Sequence, residues 1–103
     1  MSPYAPRLGV AVLGDPREEV PWREEEARRG RELVERLSGL GVEVAPLDGV
    51  ARSAGDVEAS VGRLLDWGAD LVLLYIPVWT YPSLTVRAAE VALKRVPVVA
   101  LYG

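Results

Sequence analysis

The chain contains neither cysteine nor histidine. Without cysteine there can be no disulfide, no thiolate metal site and no thiol nucleophile. Without histidine, imidazole acid–base catalysis and histidine-based triads are excluded, and any metal held by this chain alone would need oxygen ligands. Asparagine, glutamine and phenylalanine are also missing, and Lys94 is the single lysine among twelve basic residues. Loss of thermolabile side chains fits a heat-adapted source, and the arginine-rich usage fits a GC-rich genome equally well.

Long hydrophobic runs are lacking too. The longest, Leu71 to Val78, falls far short of the ~20 residues that a membrane-spanning helix needs. The opening Met1-Ser2-Pro3-Tyr4 has no charged stretch leading into an apolar one, so we expect no signal peptide, no membrane partner and a cytoplasmic location. Twelve basic residues against fifteen acidic ones give a net charge of −3. No cluster of Lys and Arg with interleaved aromatics offers a phosphate backbone a counter-surface, which excludes nucleic acid as a partner.

What remains is a chain of 103 residues, half of them hydrophobic and 26% charged, which suits one globular domain with one core. Leu8 to Leu13 is a continuous apolar run closed by Gly14-Asp15-Pro16, as expected of a strand buried on both faces. From Trp22 to Gly39, the residues Ala27, Gly30, Val34 and Leu37 recur at helical steps. Pro21 sits where a helix can start, and Glu24, Glu25 and Glu26 lie near the positive end of the dipole. Val42 to Leu47 reads as a second strand. Ser53-Ala-Gly-Asp56 has capping-box spacing ahead of an apolar face of Val57, Val61, Leu64 and Leu65 that stops at Gly68. Asp70 to Pro77 is the clearest buried strand. A third helix is expected from about Ser83 to Arg95, with Val86, Ala89 and Leu93 inward, and Pro97 to Tyr102 is a fourth strand. Three strand–helix alternations predict right-handed βαβ units. The fold class is therefore α/β: a doubly wound, flavodoxin- or Rossmann-like parallel sheet of four strands in order 2-1-3-4, with three helices in three layers. Because such sheets usually run on with another helix and strand, we expect a continuation beyond Gly103.

In an open parallel sheet, ligands bind at the carboxyl ends of the strands where the strand order reverses. The loops there are Gly14 to Val20 and Pro77 to Ser83. Arg17 offers a planar fork of donors for carboxylate, phosphate or hydroxyl groups, or else pairs on the surface with Glu18 or Glu19. Trp79 is a flat apolar plate on which the C–H face of a sugar can stack, or else a side chain tucked beneath its own loop. Tyr81 and Thr80 could hydrogen-bond a polyol or cap the third helix. Trp22 reads as a staple at a helix start and Trp67 as packing on the sheet edge.

Several chemistries are absent. The turn after the first strand carries Asp15, Arg17, Glu18 and Glu19 where a dinucleotide site needs glycines and a flavodoxin site needs hydroxyls. The Asp70 to Pro77 strand reads like the third strand of a response-regulator receiver, but Tyr75 stands where the phosphate-accepting aspartate belongs.

Three segments, Gly14-Asp-Pro-Arg17, Ile76-Pro-Val-Trp-Thr-Tyr81 and Val96-Pro-Val-Val-Ala-Leu-Tyr-Gly103, in this order and spacing, resemble the amino-terminal domain of the L-fucose isomerase family. The resemblance implies a divalent-metal, usually manganese-dependent, aldose–ketose isomerase working through an ene-diol. It implies that the metal ligands and acid–base carboxylates lie in later domains, and that this domain recognises substrate beside a neighbouring subunit of a homo-oligomer. Substrate contact carries over to Arg17 and Trp79, whereas Asp15, in the matching loop, is given a structural role. No catalytic residue, metal ligand or cofactor is expected in this chain itself, and its small-molecule partner is a sugar such as L-fucose or L-arabinose. The alternative is a non-catalytic, protein-binding module of receiver or flavodoxin type. The two differ in whether Arg17 and Trp79 face one crevice.

Overall fold

A computed structural model describes residues 5–103, and Met1 to Tyr4, read above for a leader, lie outside the described residues. Five strands and three helices alternate: β1 (Arg7–Leu13), α1 (Arg23–Ser38), β2 (Glu43–Val44), β3 (Val50–Ala51), α2 (Ala54–Trp67), β4 (Leu71–Ile76), α3 (Pro82–Leu93) and β5 (Val98–Tyr102). The sheet is parallel throughout and runs β2-β1-β4-β5, with β3 also paired to β1. This is the doubly wound α/β architecture expected, with α1 on one face and α2 and α3 on the other. Among the described residues no helix is long and apolar enough to cross a membrane.

The single second strand expected over Val42 to Leu47 is in fact two short ones, both on β1. Leu8 pairs with Val44, and further along Val12 pairs with Val50. Between them Pro46 lacks the N–H that a ladder requires, and Gly49 takes a left-handed φ of 99°. The chain therefore steps off the sheet and returns to it, and the hydrogen bond from the Gly14 N–H to the Ala51 carbonyl (2.8 Å) extends the pairing up to the loop after β1.

α2 begins and ends as its sequence dictates. The Ser53 hydroxyl accepts the Asp56 N–H at 3.1 Å, and at the other end Gly68 (φ 99°) closes the helix, with the Ala69 N–H on the Leu64 carbonyl. Val57 and Val61 are completely buried, as expected. α3 departs from expectation. Leu84, Ala88 and Ala92 face inward, whereas Val86 and Leu93 are 57% and 61% exposed. Small residues on the inner stripe let α3 approach α2 and the sheet closely, and that outweighs the pull of the larger side chains toward the core.

One core cluster lies under α2 and α3, built on Ala11, Leu13, Val72, Leu74 and Ile76. The other lies under α1, where Val10, Val12, Leu73 and Tyr75 meet Leu33, Val34 and Leu37. β5 is the thinly covered strand, and its Val99, Leu101 and Tyr102 are all exposed. The crossover from one face to the other falls between β1 and β4, so the loops following those two strands meet at the carboxyl edge.

Candidate functional site

The loop after β1 is organised by a buried carboxylate. Asp15 is completely buried, and its two oxygens accept four donors. Oδ1 takes the Arg17 backbone N–H at 3.0 Å and the Arg17 Nε at 2.9 Å; Oδ2 takes Arg17 Nη2 at 2.6 Å and the Trp22 indole N–H at 3.2 Å. Arg17 thus pairs with Asp15 rather than with Glu18 or Glu19, in the bidentate geometry that makes such pairs strong. Asp15 does have the structural role expected of it, and the object of that role is the Arg17 side chain.

Beneath this pair lies a second one. Glu26, in the first turn of α1, is also completely buried; its Oε2 accepts the Asp15 backbone N–H at 2.7 Å and its Oε1 accepts Nη1 of Arg52 at 2.5 Å. The same Arg52 nitrogen donates to the Asp15 carbonyl at 3.2 Å. The loop is therefore tied to α1 and to the segment after β3 by its own backbone. Space there is tight: a Cβ on Gly14 would lie 2.5 Å from Val50 Cγ1 and 2.6 Å from Arg52 Nη1, so only glycine fits between the two.

From the other loop, Trp79 stands 39% exposed, and the Arg17 guanidinium carbon is 4.9 Å from its ring centre, a cation–π distance. Tyr81 meets Trp79 edge to face, with centroids 5.0 Å apart. Trp79 is not tucked beneath its loop, and the two sequence-predicted site residues are brought together across the β1–β4 boundary. Trp22 belongs here too, 5.8 Å from Arg17, so it is more than a staple. Trp67 lies apart from this group, with Arg7 stacked on its ring at 4.0 Å. Tyr81 is the N-cap residue of α3 but makes no side-chain cap, and Thr80 is buried. The rim is completed by Arg29, whose Nη1 donates to the Pro77 carbonyl at 2.8 Å and so ties α1 to the end of β4. Against family models, curated proteins and solved structures, the chain finds no match.

The geometry of the site fits a ligand with hydroxyls and an apolar face better than a metal. Among the described residues no group of three or more acidic side chains could hold a metal ion. The two fully buried carboxylates, Asp15 and Glu26, already accept arginine and backbone donors, so neither fits a divalent cation. The half-exposed Arg17 (52% for its side chain) and the Trp79 plate face solvent together.

The hydrogen bonds from the Arg17 side chain, reinforced by its backbone N–H and the Trp22 indole, hold the Asp15 carboxyl at about 2 against an ordinary 3.8, although burial opposes them. A carboxyl lowered on folding stabilises the native state above its unfolded value, and that contribution disappears as pH falls through the folded value. Acid titration followed by tryptophan fluorescence should therefore show a stability loss between about pH 4 and pH 2. Arg17→Ala should raise the Asp15 value and weaken this dependence. An acid limb identical in Arg17→Ala and wild type would contradict the pairing.

Proposed function

We propose that this domain recognises a monosaccharide as the amino-terminal part of a cytoplasmic, homo-oligomeric, divalent-metal aldose–ketose isomerase of the L-fucose isomerase type. The observation that supports this most is the convergence of the Arg17 guanidinium and the Trp79 ring, 4.9 Å apart, from two loops that meet at the strand-order reversal. Arg17 offers N–H donors to ring or open-chain hydroxyls, and beside it the exposed part of the Trp79 ring offers an apolar surface to C–H groups. Tyr81, edge-on to Trp79, limits its rotation and adds a phenolic hydroxyl at the rim. The metal would polarise the sugar carbonyl. None of the described residues fits it, so no step of proton transfer is assigned to this chain, whose part is to bind and orient.

The rival reading, a protein-binding module without catalysis, draws its support from the exposed Val99, Leu101 and Tyr102 of β5. Titration with L-fucose and L-arabinose, read from the indole N–H resonances of the three tryptophans, separates the two. The sugar reading expects millimolar binding that moves Trp79 and Trp22 and leaves Trp67 in place, and that weakens at least ~10-fold in Trp79→Ala and in Arg17→Ala, a loss of ~1.4 kcal/mol. Absence of any shift at millimolar sugar would overturn it in favour of the module.

A further inference from the structure

The Arg17 fork is already occupied on one edge, which bears on the charge of the ligand it can take. Two of the five N–H donors of arginine, on Nε and Nη2, point at a carboxylate within the same loop. That carboxylate is completely buried, four donors surround it, and Trp22 is one of them. We propose that Asp15 is a specificity-determining residue: by cancelling the charge of Arg17 and fixing its orientation, it makes the Arg17–Trp79 surface accept an uncharged polyol and reject the phosphorylated or carboxylated counterpart. This rests on the sugar reading for the identity of the accepted ligand, and on the loop geometry alone for the rejection of anions.

The surroundings reinforce it. The loop from Gly14 to Val20 carries one arginine against three acids, Asp15, Glu18 and Glu19, and the last two are exposed beside Arg17. Glu26 lies beneath, engaged with Arg52, and so adds no free charge of either sign. Two features pull the other way. Arg23 reaches the loop through the Arg17 carbonyl at 3.2 Å, and α3 starts at the rim without an acidic residue in its first turn. Arg17 itself does not supply the uncancelled cation that an incoming phosphate would need, because Asp15 holds it; Arg23 forms no ion pair among the described residues, but its Nη2 is turned to the Arg17 carbonyl. A hydroxyl asks only for an N–H, and three of the five donors of Arg17 point elsewhere than Asp15. Desolvating an anion against an internally paired arginine is unfavourable, whereas a neutral hydroxyl loses little on entering.

Asp15→Asn tests the proposal, since asparagine keeps the shape and one acceptor oxygen while removing the charge. Inorganic phosphate is the anionic probe and L-fucose the neutral one, both followed at the indole N–H of Trp79, with Trp67 as internal reference. The expected result is no phosphate-dependent shift at Trp79 in wild type. In Asp15→Asn the phosphate affinity should rise at least tenfold, and Asp15→Asn combined with Arg17→Ala should abolish that gain. An unchanged phosphate response in folded Asp15→Asn overturns the proposal, as does phosphate binding at Trp79 in wild type. Phosphate binding at Trp79 in wild type overturns the proposal even if the variant does not fold. Failure of L-fucose to bind wild type is a separate outcome: it removes the sugar reading, while the phosphate experiments still decide whether Asp15 excludes anions.

Discussion

Glu26→Ala is expected to destabilise the domain by roughly 3–5 kcal/mol, the cost of removing one partner from a buried ion pair. The truncation leaves the Arg52 guanidinium, only 19% exposed, without its carboxylate and leaves the buried Asp15 N–H without its acceptor. Neither group can turn to water easily, because Gly14 and Val50 crowd the space around them. A domain of this size has about 5–15 kcal/mol of total stability, so the loss would take a large part of it. In urea, with a slope of about 1–3 kcal/mol per molar, the midpoint should fall by ~2 M. Glu26→Gln, which keeps an acceptor for the N–H and loses the charge, should lie between. A midpoint for Glu26→Ala within experimental error of wild type would mean that the cluster does not hold the loop. In that event Arg17 would be positioned by Asp15 alone.

Glu26 also shows where sequence and structure part company. In the run Glu24-Glu25-Glu26 nothing in residue type marks the third as buried, and all three suit a helix N-terminus equally. The signal was in the spacing: Glu26 lies four residues before Gly30, on the stripe that continues through Val34 and Leu37, so it shares the inward face of α1. A buried carboxylate on that stripe demands a cation, and Arg52 is the one that β3 brings to it. That partner could not be foreseen, because β3 itself was not. Where the architecture was legible, it was so for physical reasons. Parallel strands covered on both faces read as unbroken apolar runs, which is why β1 and β4 stand out, and α2 carries its own cap and stop. Legibility failed where large and small residues compete for the inside of α3, because a count of apolar bulk does not see that Ala88 and Ala92 allow closer packing. Arg17 and Trp79 were found by topology, since the reversal of strand order singles out two loops. Their orientation depended on Asp15, whose effect reaches through three-dimensional contacts.

Leu74→Ala is expected to cost about 3–5 kcal/mol, the upper part of the range for such truncations. Leu74 is completely buried at the middle of β4, between β1 and β5, on the face covered by α2 and α3. Val72 and Ile76, its same-face neighbours, are fixed by the sheet ladder, so little can relax into the cavity. Leu101, one strand away on the α1 side and paired with Tyr75, is 41% exposed, and Leu101→Ala should cost less than about 1 kcal/mol. The contrast is a statement about where stability resides. It predicts that β1 and β4 amides exchange with solvent only on global unfolding, while those of β5 exchange by local opening. Since the Asp15–Glu26–Arg52 cluster hangs from β1 and Trp79 follows β4, the candidate site is mounted on the two most protected strands. Destabilising β5 should then leave the distance between Arg17 and Trp79, and any ligand binding that depends on it, unchanged. Equal losses from Leu74→Ala and Leu101→Ala would show instead that β5 is as firmly held as the centre, and that the site depends on the whole sheet.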